Sequence, residues 1–392
     1  MKKISLTIIA CLIFLSPKSW AQSYSNQGII NDLTTINPQD FLAAIEPKIN
    51  TRLIAETQFD DDDKDYDLSG KIRLYNNLKL SKQIWLSSLA IAERIDNSGT
   101  NNTNKNRYFD NNGAYLQEFA LHTSTEKYSL VAGKFNLNFG NAWRFERGIW
   151  AGNLAKNYRQ TEKLGFSGVY RVGDIQKTGQ YNFTFSTFTN DRKNFDNSIL
   201  VNRDSTHKSD AAPGDKRSLS SYQAGLNINF DFGKNDKLSY NFSYLNLAVD
   251  KKLSAVPASK IDDQKASVFG INYHFPLREN LEFDFLLEYT GIRNVGGNSD
   301  KKEKYLTANL ITKIYKNWII FVGNSKYRDS TYTKGREDQR LNEISFGYEF
   351  NKTKFFDRLT IDVGYKRMQT NDYTNNNYQN SLGILLRYYK YF

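Results

Sequence analysis

The sequence predicts an all-β chain, a closed transmembrane antiparallel β-barrel of about sixteen strands. Three observations carry that prediction. The last strand has one apolar and one polar face, a low mean hydropathy coexists with many aromatic residues, and the connections alternate between short and long.

Lys2 and Lys3 precede an apolar run from Ile4 to Leu15, and the small-residue stretch Ser19, Trp20, Ala21 follows. This predicts a secretory signal over residues 1–21, cleaved before Gln22. The run is too short to span a bilayer as a helix. Ile8-Ile9-Ala10-Cys11 has the order of a lipoprotein box, but more apolar residues follow Cys11, which favours the ordinary signal. Cys11 is the only cysteine, so the mature chain is expected to hold neither a disulfide nor a thiolate site. Residues 22–47 are read as a short periplasmic, plug-like segment and residues 48–392 as the barrel.

Composition suits a barrel. Hydrophobic residues are 39% and mean hydropathy is -0.63, yet 25 Tyr and 26 Phe stand against 6 Pro. No segment after the signal approaches 18 consecutive apolar residues, so no membrane helix is expected. In a barrel half of each strand faces lipid and half faces water, with aromatic girdles at both interfaces. A large secreted β-sandwich or β-helix is the soluble alternative; no short solenoid repeat is visible.

Alternation of apolar and polar residues places strands at 49–59, 66–79, 83–95, 114–123, 128–137, 162–172, 180–190, 218–232, 237–249, 264–275, 281–293, 303–314, 318–327, 340–350, 358–368 and 380–392. Leu281, Phe283, Phe285, Leu287 and Tyr289 form one clear outward face, and Ile344, Phe346, Tyr348 and Phe350 another. Segments 83–95 and 318–327 are apolar on both faces and have no orientation in the sequence. Long polar connections alternate with short ones, as external loops alternate with periplasmic turns in membrane barrels. The first external connection, Asp60 to Asp65, is the short exception; it lacks the glycine of a calcium loop and reads as a solvated acidic turn.

In the last strand Leu382, Ile384, Leu386, Tyr388 and Phe392 share one face, with Leu385 the exception on the polar side. Ser381, Gly383, Leu386 and Tyr388 fit a polar-x-Gly-x-x-apolar-x-aromatic spacing, and the sequence ends on Phe392. This resembles the C-terminal signal of bacterial outer-membrane β-barrels, which implies recognition by the barrel-assembly machinery. Over its mature length the chain resembles the sixteen-stranded porins of Gram-negative bacteria. The resemblance implies a water-filled diffusion channel for small hydrophilic solutes in the outer membrane. It further implies a homotrimer in the membrane lipid and a third external loop folded into the lumen; external lysines are read as contacts for lipopolysaccharide phosphates, and no cofactor is expected. The third long connection is Asn138 to Thr161, and Gly133 to Gly140 before it resembles the strand-to-loop junction of phosphate-selective porins of the O and P type. The Pro-Glu-Phe-x-Gly loop motif of general porins is absent.

Assigning the polar parity to the lumen gathers Arg52, Lys71, Arg73, Lys366 and Arg387 near the closure, continued by Lys134 and Arg171. The far wall is expected to offer Glu282, Asp284, Glu288, Glu343 and Glu349. Such segregation predicts a transverse field across the channel; the plainer alternative is inward charges that pair and keep the lumen wet. Within 138–161, Arg144, Arg147, Lys156 and Arg159 stand against one acid, Glu146, and with a formal charge of +11 they predict a preference for anions. Removing the signal, with its three lysines and no acid, leaves +8. Lys and Arg are scattered among acids, so nucleic-acid binding is not expected.

An enzyme is the rival class. His122 and Ser124 have the spacing of the outer-membrane phospholipase, but its following Asn-Gly is replaced by Thr125-Glu126 and the site falls at the inward, periplasmic end. His207 and His274 pair with nothing at metal-ligand spacing, so no metal is expected. Long external loops serve an adhesin or structural barrel equally, and that alternative stays open.

Overall fold

Strand after strand alternates a side chain that tolerates lipid with one that needs water, and the backbone answers with sixteen long strands. A computed structural model describes residues 48–62, 65–95, 107–109, 111–144, 147–191, 213–214, 218–233, 235–249, 260–329, 337–371 and 376–392. The strands are β1 (Lys48–Asp62), β2 (Asp65–Lys79), β3 (Ile84–Arg94), β4 (Arg107–Tyr108), β5 (Asn112–Ser124), β6 (Tyr128–Phe135), β7 (Lys163–Asp174), β8 (Gly179–Asn190), β9 (Ser221–Gly233), β10 (Asp236–Leu247), β11 (Gln264–Arg278), β12 (Leu281–Arg293), β13 (Lys302–Ile314), β14 (Trp318–Asp329), β15 (Asp338–Phe350), β16 (Arg358–Asn371) and β17 (Asn376–Tyr391). β4 has two residues and lies parallel on Asp67 and Leu68 of β2. The other sixteen pair antiparallel with their chain neighbours, and β17 pairs with β1 to close the barrel. Closure leaves no edge for lipid to meet, the condition under which a sheet can span a membrane. The backbone N–H of Phe392 extends the seam, donating to the Thr51 carbonyl at 2.9 Å.

Exposure confirms the parity assignment. Leu382, Ile384 and Leu386 of β17 point outward, while Ser381, Gly383, Leu385 and Arg387 are buried inside. β5 carries a bulge that the sequence did not signal. Leu89 faces Glu118 and Ala90 faces Leu116, so Gln117 is the extra residue. The inward set changes there from Tyr115 and Gln117 to Ala120, His122 and Ser124.

The two segments without a sequence-defined orientation acquire one. In β14, Ile319 and Phe321 are inward and pack with Ile311 and Ala151; in β3, Leu89 and Ile91 are inward and pack with Tyr115. In the acidic stretch Asp60 to Asp65, β1 runs to Asp62, β2 begins at Asp65, those two residues are paired partners, and Asp63 and Lys64 lie outside the described residues. Asp60 turns inward rather than into a solvated turn, because it has a donor inside the barrel. That donor belongs to the connection between β6 and β7, which also supplies much of the apolar core.

Candidate functional site

The connection from Asn136 to Glu162 is built from its root upward. Two residues before it, Lys134 lies fully buried with its ammonium 3.0 Å from both Glu162 and Asp191, tying β6, the end of the connection and β8 together. Asn136 bonds the Glu118 carboxylate at the β5 bulge and accepts the Glu162 N–H at 3.0 Å. The chain then crosses the barrel. The Asn138 carbonyl accepts from Gln223 on β9 at 2.7 Å and Ser243 on β10 at 3.3 Å.

Further along, successive backbone N–H groups find carboxylates on the wall. Asn141 and Ala142 donate to Glu288 of β12 at 2.5 and 3.1 Å, and the Tyr158 hydroxyl donates to the same group at 2.6 Å. Ile149 and Trp150 donate to Glu343 of β15 at 2.5 and 3.0 Å. Arg147 pairs with Glu349 at 2.5 Å, and Arg387 of β17 donates to the Gly148 carbonyl at 2.7 Å. Trp150 is 1% exposed, its indole N–H donates to Asp60 of β1 at 3.1 Å, and its ring stands where a Cβ on Gly383 would be. Ile149, Trp150 and Leu154 pack with Leu341 and Leu385, which explains why Leu385 breaks the polar parity of the last strand. A segment that touches β9, β10, β12, β14, β15, β17 and β1 in turn lies inside the barrel.

These contacts revise the expected charge map. Glu288, Glu343 and Glu349 are not an open acidic wall; the inserted segment covers them and uses their oxygens. Arg147 is likewise consumed. On the closure side Glu56 sits between Arg73 at 2.8 Å and Arg387 at 3.0 Å, and Arg387 also meets Asp362 at 3.1 Å. Lys71 pairs with Glu93 at 2.5 Å, Arg52 stacks over Tyr75 at 4.3 Å, and Lys366 lies 5.2 Å from the Trp150 ring. Glu282 and Asp284 are half-buried near the short-turn end, where Asp284 bonds His274 at 2.5 Å. Arg171 bonds Ser129 at 2.7 Å at that same end. Glu56, Glu93 and Asp362 were readable as inward polar positions, whereas Asp60 and Glu118 became visible only with the inserted segment and the bulge.

Among the described residues Arg144, Lys156 and Arg159 form no ion pair. Arg144 stacks on Trp143 at 4.3 Å and donates to the Leu137 carbonyl at 2.7 Å. Burial holds its guanidinium down to about 10, against the opposing pull of Glu118. Lys156 and Arg159 lie on and just after the short 3-10 turn Ala155–Tyr158. Lys156 is exposed to the lumen, yet enclosure by the barrel, then the nearby charges of Lys71 and Arg159, bring its ammonium down to about 8. Burial beside Glu288 pushes the Tyr158 hydroxyl well above its ordinary value. Glu146 lies outside the described residues.

The paired histidine and serine of the enzyme alternative are separate. His122 meets Ser87 at 2.7 Å and stacks on Trp85 at 5.0 Å, while Ser124 bonds Ser129 at 2.6 Å. No cluster of three or more His, Cys, Asp or Glu able to hold a metal occurs among the described residues. Of the C-terminal positions, Leu386 and Phe392 are exposed on the outer face, Tyr388 donates to the Phe355 carbonyl at 2.5 Å, and Gly383 faces Trp150 inside.

No protein-family model and no curated protein matches the sequence. Solved structures do. In-vitro folded OmpT, an outer membrane protein of Vibrio cholerae, matches with a TM-score of 0.52 at 12% identity, covering 89% of this chain and 99% of that one. Its trimer form matches with a TM-score of 0.51 at 12% identity over 88% and 99%. Its loop L8 deletion mutant gives 0.51 at 13% identity over 88% and 99%. The chain shares with these outer-membrane proteins the fold of a closed, sixteen-stranded antiparallel barrel.

Proposed function

We propose that this protein is an outer-membrane porin, a water-filled diffusion channel for small hydrophilic solutes, with a preference for anions set where segment 138–161 faces β2 and β3. The observation that carries the reading is the division of charge inside the barrel. The wall acids Glu288, Glu343 and Glu349 are engaged by the segment, while Arg144, Lys156 and Arg159 on it form no ion pair among the described residues and feel Glu118, Glu56 and Glu93 only at longer range. Charges that border an aqueous path set the barrier for permeant ions, and unpaired ones dominate over paired ones. Lys71, Arg73, Arg52 and Arg387 add a background field that Glu93, Glu56 and Asp362 largely offset.

The same reading takes residues 1–21 as a cleaved signal and 22–47 as a periplasmic lead, with Gly383, Leu386, Tyr388 and Phe392 read by the assembly machinery. It takes the assembled unit as a homotrimer among lipid and lipopolysaccharide, in keeping with the trimer form of the Vibrio cholerae protein. The experiment is reconstitution of the purified, refolded chain in a planar bilayer. Discrete, long-lived conductance steps that scale with salt concentration are expected; a barrel that inserts without conducting supports the adhesin or structural alternative instead.

A further inference from the structure

The inserted segment meets the wall through one device used twice. Gly140 and Gly148 both adopt left-handed backbone, with φ of 71° and 80°. Each is followed by two residues whose N–H groups converge on one inward carboxylate, Asn141 and Ala142 on Glu288, Ile149 and Trp150 on Glu343. In each case the glycine presses against the acid it serves. A Cβ on Gly140 would come within 2.8 Å of Glu288 Oε1, and one on Gly148 within 2.9 Å of Glu343 Oε1. Left-handed turns that aim consecutive N–H groups to one side make concave anion sites, and here a wall side chain fills each one. Both carboxyl groups are at most 3% exposed, so each pair of bonds is shielded from water.

We propose that Glu288 and Glu343 are the positioning residues of the constriction, two latches eight residues apart along the segment that fix where Lys156 and Arg159 stand. The inference rests on the porin reading of segment 138–161 but is tested apart from it. Glutamine at either position keeps the shape of the side chain. It replaces one of the two acceptor oxygens by a donor, which confronts a backbone N–H that then has no partner. Aspartate keeps both acceptors with a shorter reach.

The experiment compares the native chain with Glu288→Gln, Glu343→Gln and Glu343→Asp, each refolded and checked for heat-modifiable mobility of a closed barrel. Trypsin cleavage after Arg147, a buried residue in the latched state, reports release of the segment directly. Open-channel current noise reports its motion in the pore. The glutamine variants are expected to be cleaved at least about tenfold faster and to show new conductance sublevels, with Glu343→Asp closer to native. Folded glutamine variants with native cleavage and native noise overturn the proposal. If they do not assemble, Gly148→Ala tests the same latch from the other side, and a native cleavage rate in that variant overturns it equally. A chain that conducts nothing yet keeps 138–161 protected, with release in the glutamine variants, rejects the porin reading and retains the latches.

Discussion

Two stretches of the inner wall behave differently. Under the inserted segment, from β12 to β17, the inward positions it covers include Leu286, Phe321, Leu341 and Leu385 beside Glu288 and Glu343, whose carboxylates accept its backbone N–H groups. From β1 to β3, inward Lys71, Arg73, Glu56 and Glu93 are partly exposed and paired with one another. The covered positions form a protein interior, and the paired charges a partly open surface. Desolvated positions reward packing and bonded acceptors, while hydrated positions tolerate charge when it is balanced. Leu341 and Leu385, apolar on the lumen parity, mark where Trp150 and Leu154 land, whereas inward Leu89 and Ile91 of β3 pack with Tyr115 of the neighbouring strand.

The largest effect is expected at Trp150. Trp150→Ala empties a fully buried site and removes the bond to Asp60, at a cost of about 3–5 kcal/mol to docking of the segment. Single-channel conductance is expected to rise, with the barrel still closed by the mobility assay. An unchanged conductance would place the segment outside the conducting path.

The outer face sharpens the contrast next. Phe392 projects outward at the seam, whereas Tyr389 is buried inside against Arg358 at 3.7 Å. A charge on the lipid-facing side near the interface costs up to about 1 kcal/mol for insertion, and more with depth. Phe392→Asp, which also removes the terminal aromatic, is expected to reduce outer-membrane assembly several-fold more than Tyr389→Asn, measured as folded barrel in membrane fractions. Equal yields of both would reject that difference.

On the hydrated side, Lys156 sets a pH dependence. With its ammonium at about 8, it carries charge below that pH and loses it above. Anion preference is therefore expected to be full near pH 6 and to decline through pH 7 to 9, by roughly twofold in permeability ratio. The decline should vanish in Lys156→Met. A flat profile in the native pore would show that this ammonium does not face permeant ions.

The smallest effect lies in the paired wall. Lys71 and Glu93 are partly exposed, so breaking their bridge with Lys71→Gln should change stability by less than about 1 kcal/mol. It leaves Glu93 less compensated, and a slight drop in anion preference, with little change in thermal unfolding, is expected.

Much of the barrel was legible because each strand carries its own two-residue period. β12, from Leu281 to Arg293, and the seam strand could be placed from alternation alone. What stayed hidden is non-local. Ile319 and Phe321 look as apolar as lipid-facing residues until Ala151 lies over them, and Leu385 looks like an error of pattern until Trp150 and Leu154 pack there. Glu343 has the same look as any lumen acid, because its partners are main-chain N–H groups with no signature in side-chain type. Gly140 and Gly148 held the one available signal, two glycines eight apart in a loop, but their positive φ is apparent only in the fold.

That the cations on segment 138–161 select the permeant ion is tested most directly by a reversal potential in a potassium chloride gradient across a planar bilayer. The native pore is predicted to favour chloride, and the double variant Lys156→Glu, Arg159→Glu to lose that preference or invert it. A native preference for potassium, or a double variant with the native reversal potential, would contradict the account.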